Sequence, residues 1–537
     1  MTPLFLSRRS ALGGLTAAGL LPRVAAAQSA SVLRVGMTLA DIPLTTGQPS
    51  QGGEGQRFIG VTLYDALINW DLSRADQAAK LQPGLALSWE VDAATKTIWT
   101  FKLRPGVTFH DGSKFTADAV VWNLDKLLNR SSPQFDQAQA TQSGPWIGTI
   151  ASYRVMDELT VQVVNKAPDA VFPYQAVNLY MSSPARWKEM GGDWNKVAQQ
   201  PSGTGPWVME KVVPRERAEL RRNTAYWDPK RVPKSEKLLL RCMPDSTTRL
   251  AALLSGQVDW IEAPPPDAVP QIKSAGMQLI TNVYPHIWPY QLSFLPSSPF
   301  HDVRVRKAAN LAIDRDGLVK LLGGLAMPAK GMVTPGHPWF GKPSFDIKYD
   351  PDAAKALLKD AGFSTAKPVK VKFLISTSGS GQMQPLPMNE FIQENLKEVG
   401  IDVTFDTMDW EALRARRRGG VELPDNKGAD GINNSWGFPD PDLGLIGTGW
   451  SQKRPPAGYN WGGFADPIAD DFASKAKLAF DPAEQDALLA QLHTRMVDQA
   501  MWIWVVHDLN PRALGPKVKG FVSAQSWLQD LTSVSVG

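Results

Sequence analysis

Apolar positions along this 537-residue chain alternate between a period of two and a period near 3.6 almost from end to end. In Thr97-Ile98-Trp99-Thr100-Phe101-Lys102-Leu103 the side chains of Trp99, Phe101 and Leu103 share one face, the pattern of a half-buried strand. Arg104-Pro105-Gly106 ends it in a turn, Val107-Thr108-Phe109-His110 resumes it, and Asp111-Gly112 marks a second turn. A helix is predicted next, with Thr116 as its cap, Asp118 in its first turn, and Val120, Leu124, Leu127 and Leu128 on its buried face. Leu159, Val161 and Val163 line one face of a further strand.

The second half repeats this grammar. Asp302 is placed to cap a helix whose stripe is Val305, Ala309, Ala312 and Ile313. Asp350-Pro351 opens another, carrying Ala354, Leu357, Leu358 and Ala361 and ending at Gly362. Ile392, Leu396 and Val399 stop at Gly400, and Ile401, Val403 and Phe405 read as the next strand. Asp481-Pro482-Ala483-Glu484 is close to a capping box, ahead of Leu488, Leu489, Leu492, Met496 and Val497. Such interleaving predicts a mixed α/β architecture in more than one lobe, with Pro- and Gly-rich joints at 200–206, 263–270 and 284–299.

Composition changes the picture first at the N-terminus. Ser7-Arg8-Arg9-Ser10 precedes a short apolar run from Ala11 to Leu21, and Ala25 and Ala27 offer an A-x-A cleavage site. That is the layout of a removable export signal over residues 1–27, and the pair Arg8-Arg9 points to the twin-arginine route. The run is too short to cross a hydrocarbon layer of about 30 Å. Cleavage after Ala27 leaves a chain that begins at Gln28 and works outside the cytoplasm. The chain carries 57 Lys and Arg against 53 Asp and Glu, but Arg8, Arg9 and Arg23 belong to the signal, so the remainder is nearly neutral. No nucleic-acid or anionic-membrane partner is expected. The run Arg414-Ala415-Arg416-Arg417-Arg418 falls where a helical pattern ends, and reads as solvated cations at the negative end of a helix rather than a phosphate site. Cys242 stands alone, which excludes an internal disulfide, and no cysteine follows the signal to carry a lipid. About 510 residues exceed one core, so two or three lobes are expected in a soluble monomer.

Catalytic motifs are missing. There is no phosphate loop, no G-x-G-x-x-G after a strand and no G-x-S-x-G elbow. The six histidines never fall at metal-ligand spacing, so neither a metal nor a cofactor is implied. His110, beside Asp111-Gly112, is best explained by hydrogen bonds to backbone. The 19 tryptophans are the other anomaly, several of them in irregular segments, including Trp288 with Tyr290, Trp339, Trp436 with Phe438, Trp450 and Trp461. An indole packs a gap between lobes in the ordinary case, but it also suits stacking on a ligand. In Asn433-Asn434-Ser435-Trp436-Gly437-Phe438-Pro439-Asp440-Pro441-Asp442, amides, indole and acids converge on one loop, and there the ligand reading is preferred.

Ordered motifs carry a resemblance. Leu81-Gln82-Pro83-Gly84-Leu85 with Ser88-Trp89-Glu90, then Phe101 to Gly112, Phe115-Thr116-Ala117-Asp118, Gly203-Thr204-Gly205-Pro206-Trp207, Asn223 to Trp227, Ser255 to Asp259, Ala312-Ile313-Asp314-Arg315 and Tyr349-Asp350-Pro351 occur in one series. Together they resemble the family 5 extracellular solute-binding proteins, the dipeptide, oligopeptide and nickel-complex receptors of ABC importers. The resemblance implies an α/β, two-lobed periplasmic-binding-protein-like (venus-flytrap) fold with an extra subdomain inserted in the first lobe. By position, the first lobe takes residues 28–60, 200–282 and 508–537, the insert 61–199 and the second lobe 283–507, with hinges near 282–289 and 506–511. It also implies a periplasmic protein that closes over a small-molecule or peptide-like ligand and docks on the transmembrane subunits of an ABC permease.

Two departures bear on the ligand. Dipeptide receptors of this family carry an aspartate three residues after the loop tryptophan; here Trp436 is followed by Gly437-Phe438-Pro439 and the acid comes at Asp440. They also carry an arginine in the loop corresponding to Ser376–Pro387, which here holds neither Arg nor Lys. A free dipeptide would leave its charged ends desolvated and unpaired, which argues for a sugar, an opine-like conjugate or an aromatic metabolite instead. The candidate site is therefore Asp440 as polar anchor, Trp436, Phe438, Trp288 and Tyr290 as walls, and Gly203, Thr204, Gly205 and Trp207 on the facing lobe. The competing classes are an exported hydrolase and a receptor that presents ligand to a sensor partner.

Overall fold

A computed structural model of the chain describes residues 31–43, 55–378 and 383–537. The expected export signal, with Arg8, Arg9 and Ala27, lies outside the described residues. Three sheets dominate the described residues. The first runs Gln278–Ile280, Arg512–Leu514, Trp260–Glu262, Val32–Met37, Lys237–Cys242, Arg217–Arg222, Trp207–Val213. The second runs Ala326–Pro328, Trp502–Asp508, His286–Leu292, Gly431–Asn433, Val369–Ser376, Ile401–Met408, with the short strand Trp436–Gly437 also paired to His286–Leu292. The third is antiparallel, in the order Ala86–Val91, Ile98–Leu103, Thr160–Asn165, Ile150–Asp157, and lies in sequence between two strands of the first.

Each sheet has its own core. Leu33, Val35, Trp207, Leu240 and Trp260 pack beneath the first. On the second, the alternation of Ile287 and Trp288 sends one residue into each of two clusters, one built on Val305, Phe373 and Leu396, the other on Leu492, Met496 and Trp504. Trp99, Phe101, Val120, Leu124 and Val161 fill the core under the third.

Local chemistry sets the element ends. Asp302, Asp350 and Asp481 accept hydrogen bonds from the backbone N–H of Arg304, Ala353 and Glu484 at the starts of Val303–Leu311, Pro351–Asp360 and Pro482–Asp498. Gly400 ends the helix Pro385–Val399 in the left-handed region, at φ 99°. Thr116 takes the cap position of Ala117–Leu128, but its side chain makes no capping bond. Residues 107–110 form no strand; a single bridge joins Thr108 to Lys114, while Val107 and Phe109 are buried.

The chain passes between the first and second sheets twice, through 281–285 and through 509–511. The two passages lie side by side, since the Asn282 N–H donates to the Leu509 carbonyl at 2.9 Å. Among the described residues no helix is long and apolar enough to cross a membrane.

Candidate functional site

The loop after Gly431–Asn433 is stitched to the first passage. Trp436 pairs with Ile287 and Gly437 with His286, and the Phe438 N–H donates to the Pro285 carbonyl at 3.0 Å. Pro439 and Pro441 have their own φ fixed on either side of Asp440, and Pro441 also biases Asp440 away from helical backbone. The Asp440 carboxylate accepts from the N–H groups of Asp442 (2.9 Å) and Leu443 (2.8 Å), which starts the turn Asp442–Ile446. Burial pushes Asp440 up to about 7, and the charges of Asp442 and Asp169 add to the effect. Asp169 comes from the segment that follows the third sheet; Lys477 lies 3.5 Å from it, and the Ala170 N–H donates to the Lys477 carbonyl. Trp436 donates from Nε1 to the Leu443 carbonyl at 3.0 Å, meets the Tyr459 ring edge-on at 5.4 Å and carries the Arg417 guanidinium 4.7 Å above it. Phe438 lies 6.4 Å from the His507 ring. The neighbouring Asn434 keeps a buried Oδ1 with no hydrogen-bond partner among the described residues.

The structure thus brings Trp436, Phe438 and Asp440 together. It gives the other expected site residues packing roles. Trp288 and Tyr290 are fully buried between the second sheet and its helices; the Tyr290 hydroxyl donates to Asn389 Oδ1 and its ring stands 4.6 Å from Phe373. The reason is strand alternation: in a strand buried on both faces, neither side is left for a ligand. Gly203 and Gly205 are glycines because backbone crosses them. A Cβ at Gly203 would stand 2.1 Å from the Leu63 carbonyl oxygen, and one at Gly205 2.5 Å from its carbonyl carbon. His110 straps this loop, accepting the Gly203 N–H at Nδ1 (3.3 Å) and contacting the Gly205 carbonyl through Nε2 (2.9 Å), so Nε2 carries the proton. Thr204 donates to Asp65 at 3.0 Å, and Trp207 is buried in the first sheet's core.

Three features escaped the sequence reading. Asp65 gathers Thr204, the Tyr226 hydroxyl (3.0 Å) and Trp227 Nε1 (2.9 Å) on one buried carboxylate. At the passages, Arg57 bonds Glu262 (2.9 Å) and Asn510 (3.0 Å), Arg512 bonds Glu262 (3.1 Å), and the Tyr284 hydroxyl donates to Asp508 at 2.7 Å. Arg417 is not the solvated helix end expected of it, being half-buried over Trp436. Its signal was available: Leu413, the buried residue of Trp410–Gly419, lies one turn before it on the same face. A cavity of about 30 Å³ lined by Tyr64, Asp65, Tyr180, Arg231 and Gln529 has room for one or two water molecules, not for a solute.

A family model described as bacterial extracellular solute-binding proteins, family 5 (middle region) matches residues 80–467. The glutathione-binding protein GsiB of Shigella boydii is 29% identical over 87% of this chain and 90% of its own. The dipeptide-binding protein of Escherichia coli K12 is 26% identical over 89% of this chain and 90% of its own. The crystal structure of NikA from Brucella suis in complex with Fe(III)-EDTA superposes with a TM-score of 0.78 at 22% identity, covering 94% of this chain and 100% of that one. This last likeness establishes a shared fold, that of two-lobed binding proteins.

Proposed function

We propose a solute-capture function from one premise: this chain belongs to the bacterial extracellular solute-binding proteins of family 5. It serves in the periplasm as the substrate-binding component of an ABC importer, enclosing a small solute between its lobes and passing it unaltered to the permease. It performs no chemistry of its own. Two side-by-side passages between the first and second sheets carry this reading, because they permit one body to swing on the other about a shared line. The loop from Trp436 to Asp440 is sewn to that line by the Phe438–Pro285 bond, so closure acts directly on it. A solute that touches both lobes only when they are shut shifts the balance by that contact energy. Trp436 and Phe438 supply apolar surface, while Asp440 and the unpartnered Asn434 Oδ1 supply polar contacts.

The pair Arg8-Arg9 and the small residues Ala25 and Ala27 support export through the twin-arginine route. X-ray scattering of the purified chain, titrated with glutathione and with Met-Leu, tests capture. A smaller radius of gyration with either compound, recovered intact afterwards, is the expected result. An unchanged radius with both, or a cleaved product, overturns it. Trp436→Phe, which keeps most of the buried ring in place, is expected to weaken binding about tenfold or more while lowering the urea midpoint far less than Trp436→Ala would.

A further inference from the structure

Helix Trp410–Gly419 ends in three arginines. Arg414 pairs with Glu411 at 3.0 Å, and Arg416 donates to the Asp425 carbonyl. The acids nearest the Trp436 loop are occupied as well: Lys453 lies 3.7 Å from Asp442, Lys477 lies 3.5 Å from Asp169, and Asp440 is bonded to backbone amides. Arg418 is exposed to solvent, whereas Arg417 is half-buried. Its guanidinium stands over the Trp436 ring and makes no hydrogen bond or ion pair with any described residue. Lost contact with water brings it down to about 10, so it stays charged at neutral pH without a counter-charge. A half-buried cation in that condition is costly, and a planar acceptor offering two oxygens would relieve it.

We propose that Arg417 receives a carboxylate of the captured solute, so that the Trp436 loop selects acidic solutes with an apolar or aromatic body. The proposal rests on the solute-capture reading above. Trp436 holds Arg417 by cation–π contact, and the indole is itself fixed by its bond to the Leu443 carbonyl and by the Tyr459 and Trp502 rings.

The test compares acids with their uncharged counterparts: glutathione with its diethyl ester, Met-Leu with Met-Leu amide, and indole-3-acetate with indole-3-acetamide. Affinities come from calorimetry on the purified wild-type chain and on Arg417→Gln and Arg417→Lys, and compaction comes from scattering. At least one acid is expected to bind wild type tenfold or more tightly than its counterpart. Arg417→Gln is expected to bring that ratio near one, and Arg417→Lys to restore part of it, with urea midpoints no lower than that of wild type. A wild-type ratio near one, which needs no variant, overturns the proposal, as does a ratio unchanged by Arg417→Gln. If the uncharged compounds still compact the chain, capture stands and the Arg417 assignment alone falls; if no compound compacts it, both fall.

Discussion

A carboxyl group sealed from water and bonded only to backbone amides resists ionisation, and Asp440 is in that position. Its folded value of about 7 lies above the ordinary carboxyl value of 3.8, so between about pH 4 and 7 the folded chain holds a proton that the unfolded chain releases. Stability contributed by this group is therefore present at low pH and lost as pH rises to about 7, by up to about 1.4 kcal/mol per unit. Asp440→Asn keeps an acceptor for the Leu443 N–H and removes the ionisation. The variant is expected to be more stable relative to wild type at pH 8 than at pH 5. Urea unfolding of both chains at the two pH values checks it; a difference that does not vary with pH contradicts the burial argument. The proximity of Trp436 and Asp440 was legible from the sequence because indole and acids crowd one short irregular segment between prolines. Arg417 was not, because in a run of arginines the dipole explanation accounts for all of them alike and does not single out the one that shares a face with Leu413.

At the scale of elements, glycines divide by what surrounds them. Gly203 and Gly205 sit against the Leu63 backbone, whose atoms cannot rotate away. Gly144, inside the helix Gln137–Ile147, has open space where a Cβ would go. Gly203→Ala is expected to cost about 1–3 kcal/mol or more, as overpacking against main chain does. Gly144→Ala is expected to add about 0.5–1 kcal/mol by removing unfolded-state freedom. Urea midpoints of the two variants, moving in opposite directions, are the check. The helices were readable in advance because a 3.6-residue stripe and an aspartate cap are local signals, as at Asp302, Asp350 and Asp481. Residues 107–110 misled because their apolar alternation is satisfied otherwise: Val107 and Phe109 turn inward while His110 leaves to strap the loop at Gly203. Trp288 and Tyr290 misled for the opposite reason, since a strand buried on both faces carries large aromatics that composition alone cannot tell from a binding wall.

At the scale of the whole molecule, the passages between sheets are lined with groups that must stay as they are for the lobes to keep their alignment. His286 and His507 meet there, with His507 Nδ1 3.2 Å from the His286 carbonyl. Burial holds His286 down to about 3 and His507 to about 4, and it does the same, to about 4, for His110, His337 and His493. Each folded value lies below the ordinary imidazole value of 6.5, so an unfolded chain takes up protons that the folded chain refuses. Their contribution is complete above about pH 6.5 and is lost as pH falls towards 4. Asp440, Asp169 and Asp430 are shifted upwards by burial and work in the other direction, against five histidines. The histidines outnumber them, so unfolding at pH 5 is expected to take up protons on balance, and the urea midpoint is expected to fall between pH 7 and pH 5. Because His286 and His507 stand at the strand ends that adjoin the passages, the same acid shift is expected to raise the radius of gyration of the solute-bound chain before global unfolding begins. Scattering and circular dichroism followed together along an acid titration would show this order of events, and a midpoint that is flat or rising towards pH 5 would mean these imidazoles are not held neutral by burial.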